Sequence, residues 1–167
     1  MNKPNLNALS AAIALAISAS AMGAGISEAQ YKSAGQSIAA RHTNDQATCE
    51  SMAGNSKDVC QAEANGRESV AKAQLESSYS ESGKSLHEVR LAKANAAYAI
   101  ANEKCDDAAG NIQDVCRKEA QSVEVAAKAD AEKRAAAYAV AREKCDALGE
   151  KAQATCIQEA RFRYEQS

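Results

Sequence analysis

CDDAAGNIQDVC, from Cys105 to Cys116, sets two cysteines symmetrically about the pair Gly110-Asn111. Glycine suits the left-handed position that ends many helices. Asn111 is placed as the N-cap of a following helix, with Asp114 three residues on in the position of a capping-box acid, where it also meets the positive end of the helix dipole. The stretch therefore reads as the end of one helix and the start of another. In an antiparallel helical hairpin, positions equidistant from the turn face each other when the helix phases agree. A disulfide needs this, with Cα atoms roughly 5.5 Å apart.

Two further stretches repeat the pattern: CESMAGNSKDVCQAEA from Cys49 and CDALGEKAQATCIQEA from Cys145, beside CDDAAGNIQDVCRKEA from Cys105. Each holds Cys, ten residues, Cys, two residues and Glu-Ala. A repeat of this kind outranks other signals in assigning architecture. In the first unit Gly54, Asn55 and Asp58 take the same turn and capping places. In the third, Gly149 comes one position earlier and Glu150 and Gln153 stand where the capping pair stood, so its turn is expected to differ.

The six cysteines allow about 15 pairings; the repeat selects Cys49–Cys60, Cys105–Cys116 and Cys145–Cys156. Zinc sites favour ligands two to four residues apart, and no such Cys pair occurs. Aligning Gly110 with the glycine of a calcium loop puts cysteines where carboxylates belong. The spacing is also too wide for a Cys-x-x-Cys redox centre. No metal and no cofactor is expected.

The chain has 167 residues, a formal net charge of −2, one Phe, no Trp and one Pro, at position 4. Residues 1–25, MNKPNLNALSAAIALAISASAMGAG, have the layout of a secretory signal peptide with a cut between Ala21 and Gly25. Their apolar run is too short and too broken by serine for a retained span. Export would place all six cysteines in an oxidising compartment, periplasmic or extracellular. Only 17 residues after Gly25 are Leu, Ile, Val or Phe. Such a deficit usually means disorder, but here Ala, the best helix former, fills it and the charge is near balance. A concentrated basic face is missing, so nucleic acid is not an expected partner.

The expected fold is all-α: residues 26–167 as disulfide-pinned antiparallel hairpins in an elongated bundle, with one long helix from about Ile112 to Leu148. Leu91, Ala94, Tyr98, Ala101 and Cys105 form one helical stripe, and Ala131, Ala135, Tyr138, Ala141 and Cys145 another, read as packing seams. The second and third units start 40 residues apart, but the first and second 56 apart. The excess contains SSYSESGKS, read as a loop. Glu124–Lys128 and Asp130–Arg134 are favourable four-residue pairs. Of the two histidines, His42 aligns with the seam tyrosines and marks a more polar first seam. His87 reads as part of a solvated helix start. There is no nucleophile elbow, phosphate loop or paired-acid constellation, so no catalytic residues are expected.

ISEAQYKSAG, VRLAKANAAYAIANEKCDDAAGNIQDVCRKEA and AREKCDALGEKAQATC together resemble a family of small secreted, alanine-rich proteins of betaproteobacteria. Some members carry the label TolA-like cell-envelope biogenesis protein. The resemblance implies an envelope-associated helical protein and carries over no functional residues. The expectation is a non-enzymatic structural or interaction protein of the envelope, connected with stress, with an envelope protein as the class of partner. The alternative is a periplasmic protein that binds a metal or small ligand or exchanges thiols.

Overall fold

In a computed structural model, which describes residues 25–80 and 82–166, five helices follow one another: α1 (Glu28–Cys49), α2 (Asn55–Ser80), α3 (Gly83–Lys104), α4 (Asn111–Asp146) and α5 (Glu150–Gln166). The fold is all-α, and each helix packs against the next in sequence. The signal-peptide reading falls, apart from Gly25, outside the described residues. No described helix is long and apolar enough to cross a membrane.

Local chemistry starts each helix. Ser27 caps α1: its hydroxyl accepts the Gln30 N–H, while the Gln30 side chain accepts the Ser27 N–H at 2.9 Å. A capping box satisfies donors that the first turn leaves orphaned. Ser82 and Ser85 form the same reciprocal cap on α3. The serine-rich spacer is thus far more ordered than a loop. α2 continues through Ser80, and only positions 81 and 82 separate it from α3. The reason lies in how serine is used. Ser78 donates to the Gln74 carbonyl within α2, Ser77 and Ser85 are buried as small packing residues, and Ser82 serves as the cap.

The extra residues between units one and two therefore build a hairpin, α2 and α3. Between units two and three a single helix, α4, makes the connection. Its 36 residues span about 54 Å at 1.5 Å per residue. The expected helix, about 112–148, lies within two residues of it.

The core is a thin seam of small residues. Ala64, Ala94, Ala120 and Ala131 are buried, and so is Gly66. Both expected stripes face inward: Ala94, Cys105, Ala131, Tyr138 and Cys145 are buried, and the remaining members half-buried. Among the described residues, larger side chains cluster at Leu86, Tyr138 and Tyr164, flanked by Ala135 and Ala160.

This cluster closes the molecule where α5 returns over the α2–α3 turn. The Tyr138 and Tyr164 rings lie 5.4 Å apart, a tilted contact that favours aromatic pairs. The Arg90 guanidinium sits 4.9 Å from the Tyr164 ring centroid and donates to the Tyr164 carbonyl. Arg161 donates to the Ser77 carbonyl at 3.3 Å. At the start of α1, Tyr31 donates to Glu76 at 3.0 Å and its ring lies tilted against that of Tyr79, 4.6 Å between centroids, and the Ile26 N–H reaches the Ser78 carbonyl.

Candidate functional site

The repeated units form three cystine-locked turns. Cys49–Cys60, Cys105–Cys116 and Cys145–Cys156 are bonded, with Cα separations of 5.5, 5.6 and 5.6 Å. The first cysteine of each pair closes its helix from inside the core: Cys49, Cys105 and Cys145 are at most 1 % exposed. In each unit the N–H three residues later, of Met52, Ala108 or Leu148, donates back to that cysteine's carbonyl. One carbonyl orphaned by the helix end is satisfied in this way.

The turn glycines act differently from the reading of a left-handed helix stop. Gly110 has φ 58° and ψ −141°, and it is itself the cap of α4. Asn111 is the first helical residue, not an N-cap, and no side chain caps this end. Likewise α2 begins at Asn55, after Gly54 at φ 59°. The glycine carbonyl supplies the early hydrogen bond: Gly110 accepts from Asp114 N–H and Gly54 from Lys57 N–H. Asp58 and Asp114 do lie in first turns, where the dipole favours an acid.

Gly149 is different again. Its φ is not positive, and α5 starts immediately after it. Four residues separate Cys145 from α5, whereas five separate Cys49 from α2 and Cys105 from α4. Cys156 is accordingly one place deeper in its helix, which preserves the eleven-residue spacing.

Gly110→Ala is therefore expected to cost about 1–3 kcal/mol, because this backbone region penalises a Cβ. Gly149→Ala should be neutral or slightly stabilising, since no atom lies within 4 Å of the added Cβ. Denaturant melts of the two variants check this contrast.

A second feature of the turns was missed in the sequence reading. The acid directly after the first cysteine clasps the next helix. Glu50 accepts from Lys57 at 2.7 Å and Gln61 at 3.1 Å. Asp106 accepts from Gln113 at 3.1 Å and Arg117 at 2.6 Å. Asp146 accepts from Gln153 at 2.9 Å. The donors stand eight and twelve residues after the first cysteine; the third unit has Ile157 at the second place and keeps one bond. The signal was present as Cys-Glu or Cys-Asp in all three copies.

The Lys57 hydrogen bond and charge hold the Glu50 carboxyl below its ordinary value of 4.5. A lowered value in the folded chain means a contribution present above the ordinary glutamate range and lost as pH falls through the folded value. Melting followed from neutral to acid should show an acid-side loss that Glu50→Gln makes smaller. An identical profile in the variant would show that the clasp adds nothing.

His42 lies in the α1–α2 seam and has more partners than its sequence surroundings suggested. Its Nε2 is 2.9 Å from Asn65 Oδ1, Gln46 donates to that oxygen at 2.8 Å, and Nδ1 is 3.5 Å from Glu68. Beside it Arg67 donates to Asp45 at 3.1 Å. Lys72 and His42 hold the Glu68 carboxyl below its ordinary range. The network borders a groove of about 580 Å³ over α2, floored by residues such as Ile38, Val70 and Ile100.

His87 is not in a solvated helix start. Its side chain is 15 % exposed, and Nε2 lies 3.3 Å from Glu132 on α4. Nδ1 is buried without a hydrogen-bond partner. Among the described residues no group of three or more His, Cys, Asp or Glu side chains is arranged to hold a metal ion, and every cysteine is bonded. Glu124–Lys128 and Asp130–Arg134 pair as expected along α4.

The arrangement is that of helices joined by covalently locked turns, the chemistry of an oxidising, non-cytoplasmic compartment. Comparison with protein-family models, with curated proteins and with solved structures gives no match.

Proposed function

We propose that this chain is an exported, non-enzymatic structural or interaction protein of the cell envelope, in which locked turns hold a thin alanine seam in shape for an envelope partner. The observation that carries the reading is the burial of one cysteine of each disulfide at a helix end. The turns thereby become core where large apolar side chains are few. The mixed charge along the helices suits a protein that works among other envelope components in varied surroundings.

Osmotic-shock fractionation of the source bacterium, with intact mass measured before and after alkylation, tests the proposal. The processed chain should appear in the shock fluid with all cysteines protected until reductant is added. Retention in the cytoplasm, or full labelling without reductant, would overturn it. Envelope sensitivity to detergent in a deletion strain, restored by the intact gene, tests the link to the envelope.

A further inference from the structure

Over α2, with residues of α1 on one side and of α3 on the other, runs the groove of about 580 Å³ that His42 borders. Its volume falls within the roughly 300–1,000 Å³ of small-molecule sites, which are mostly apolar with a few placed polar groups. The floor fits that description. Ile38 of α1, Val70 and Ala71 of α2 and Ile100 of α3 line it, and all four are half-buried, so each keeps surface that a ligand can cover. Large aliphatic residues are scarce in this chain, yet three of them converge here from three helices. Gly66 helps to form the floor: without a Cβ there, Ala96 and Ile100 of α3 come in close over α2.

The rim decides which charge a ligand would carry. Asp45 accepts from Arg67 at 3.1 Å, and Glu63 lies 3.9 Å from Lys104. Glu68 is 2.7 Å from Lys72 and 3.5 Å from His42. Every carboxylate that lines the groove therefore already faces a cation.

Lys72 does not itself line the groove, so its pairing with Glu68 leaves one lining cation over. That cation is Arg41, which is exposed and has no ion-pair or hydrogen-bond partner among the described residues. It follows Ile38 by three positions on α1, so the two side chains share one side of the helix. The guanidinium donors of Arg41 thus stand unused at the edge of the apolar floor.

We infer that this groove binds a fatty carboxylate, its single negative head on the Arg41 guanidinium and its aliphatic chain along Ile38, Val70, Ala71 and Ile100. One spare cation calls for one negative charge, and a planar guanidinium matches a carboxylate through two parallel N–H donors. The floor in turn calls for an alkyl chain, since covering it removes apolar surface from water. The occupant is a free fatty acid and not a bilayer lipid, because a chain lying in the groove has left the membrane. This goes beyond the structural role proposed above and does not depend on it.

The test titrates the oxidised, processed chain with octanoate and decanoate at millimolar, sub-micellar concentrations and follows amide shifts in ¹H–¹⁵N spectra. Decanol and decyltrimethylammonium are the uncharged and cationic controls. Arg41→Gln removes the spare cation without touching a contact of the fold, and Ile38→Ala trims the floor; melting curves show that each variant is folded. Saturable shifts centred on residues 38, 41, 70, 71 and 100 are expected, with affinity rising about two- to fourfold for each added methylene. Arg41→Gln should weaken decanoate about fivefold and abolish its preference over decanol, and Ile38→Ala should weaken both. No saturable binding, equal binding of decanoate and decyltrimethylammonium, or decanoate binding unchanged in Arg41→Gln overturns the inference. Shifts at these residues that grow with protein concentration alone would overturn it in favour of a second copy of the chain. Co-sedimentation with phosphatidylglycerol vesicles without decanoate binding would overturn it in favour of a membrane surface.

Discussion

Replacing Cys105 and Cys116 together by alanine is expected to lower the stability by about 3 kcal/mol, the loop-closure term for a ring of this size. For a domain of this length that corresponds to a fall in Tm of about 10 °C. The loss should be at least this large because Cys105 is buried at the end of α3, where truncation to alanine also leaves a void. The same bridge joins α3 to the 36-residue α4, so it anchors both halves. Reducing all three bridges removes a sum comparable with the whole 5–15 kcal/mol stability of an ordinary domain. The reduced chain should therefore lose its cooperative helical melt. Circular dichroism with and without reductant is the measurement; unchanged melting in all three pair variants would remove the central role assigned to the staples.

Gly66→Leu should be the most damaging substitution on α2. A Cβ at Gly66 would stand 2.9 Å from Ala96 Cβ on α3, closer than real Cβ contacts come, with the Ile100 side chain behind it. The two helices must separate to admit a larger side chain, and overpacking of this kind costs about 1–3 kcal/mol or more. Helix propensity alone argues for the opposite sign, since glycine within a helix is about 1 kcal/mol worse than alanine. Gly35→Ala provides the control. There the added Cβ meets Leu75 Cδ2 at 3.9 Å, ordinary contact, and stabilisation of about 0.5–1 kcal/mol is expected. If close approach is the cause, Ala96→Gly should rescue much of the loss in Gly66→Ala. Equal effects of Gly66→Ala and Gly35→Ala on chemical denaturation would refute it.

The parts legible in the sequence were local or periodic. The symmetric cysteine spacing, the tyrosine–alanine stripes and the long uninterrupted α4 each express a rule acting within about a dozen residues. The serine spacer misled because serine has two behaviours. It breaks helices when it competes for backbone groups, and it caps or packs them when neighbours fix its geometry. Ser77 and Ser82 show the second behaviour, and only the packing of α5 and the position of Ser85 decide it. The Asn55 and Asn111 caps failed for a related reason: the glycine beside each already supplied the turn and the accepting carbonyl. Gly66 against Ala96, His87 against Glu132 and Tyr164 beneath Arg90 were beyond sequence reading. Each joins residues far apart in sequence, and neither periodicity nor spacing encodes that register.

The order in which the helices pack also bears on how the chain acquires its disulfides. Every bridge closes between consecutive cysteines separated by eleven residues, and each helix packs against its neighbours in sequence. Contacts of that kind need only short loops, which close in about 10–100 ns and favour fast folding. In a chain emerging N-terminus first, the partner of each odd-numbered cysteine is the next to appear. Oxidation in order of emergence therefore produces the native set without passing through mispaired rings. Pulse-labelled chains should accordingly show no slow reshuffling phase, even when isomerase is absent.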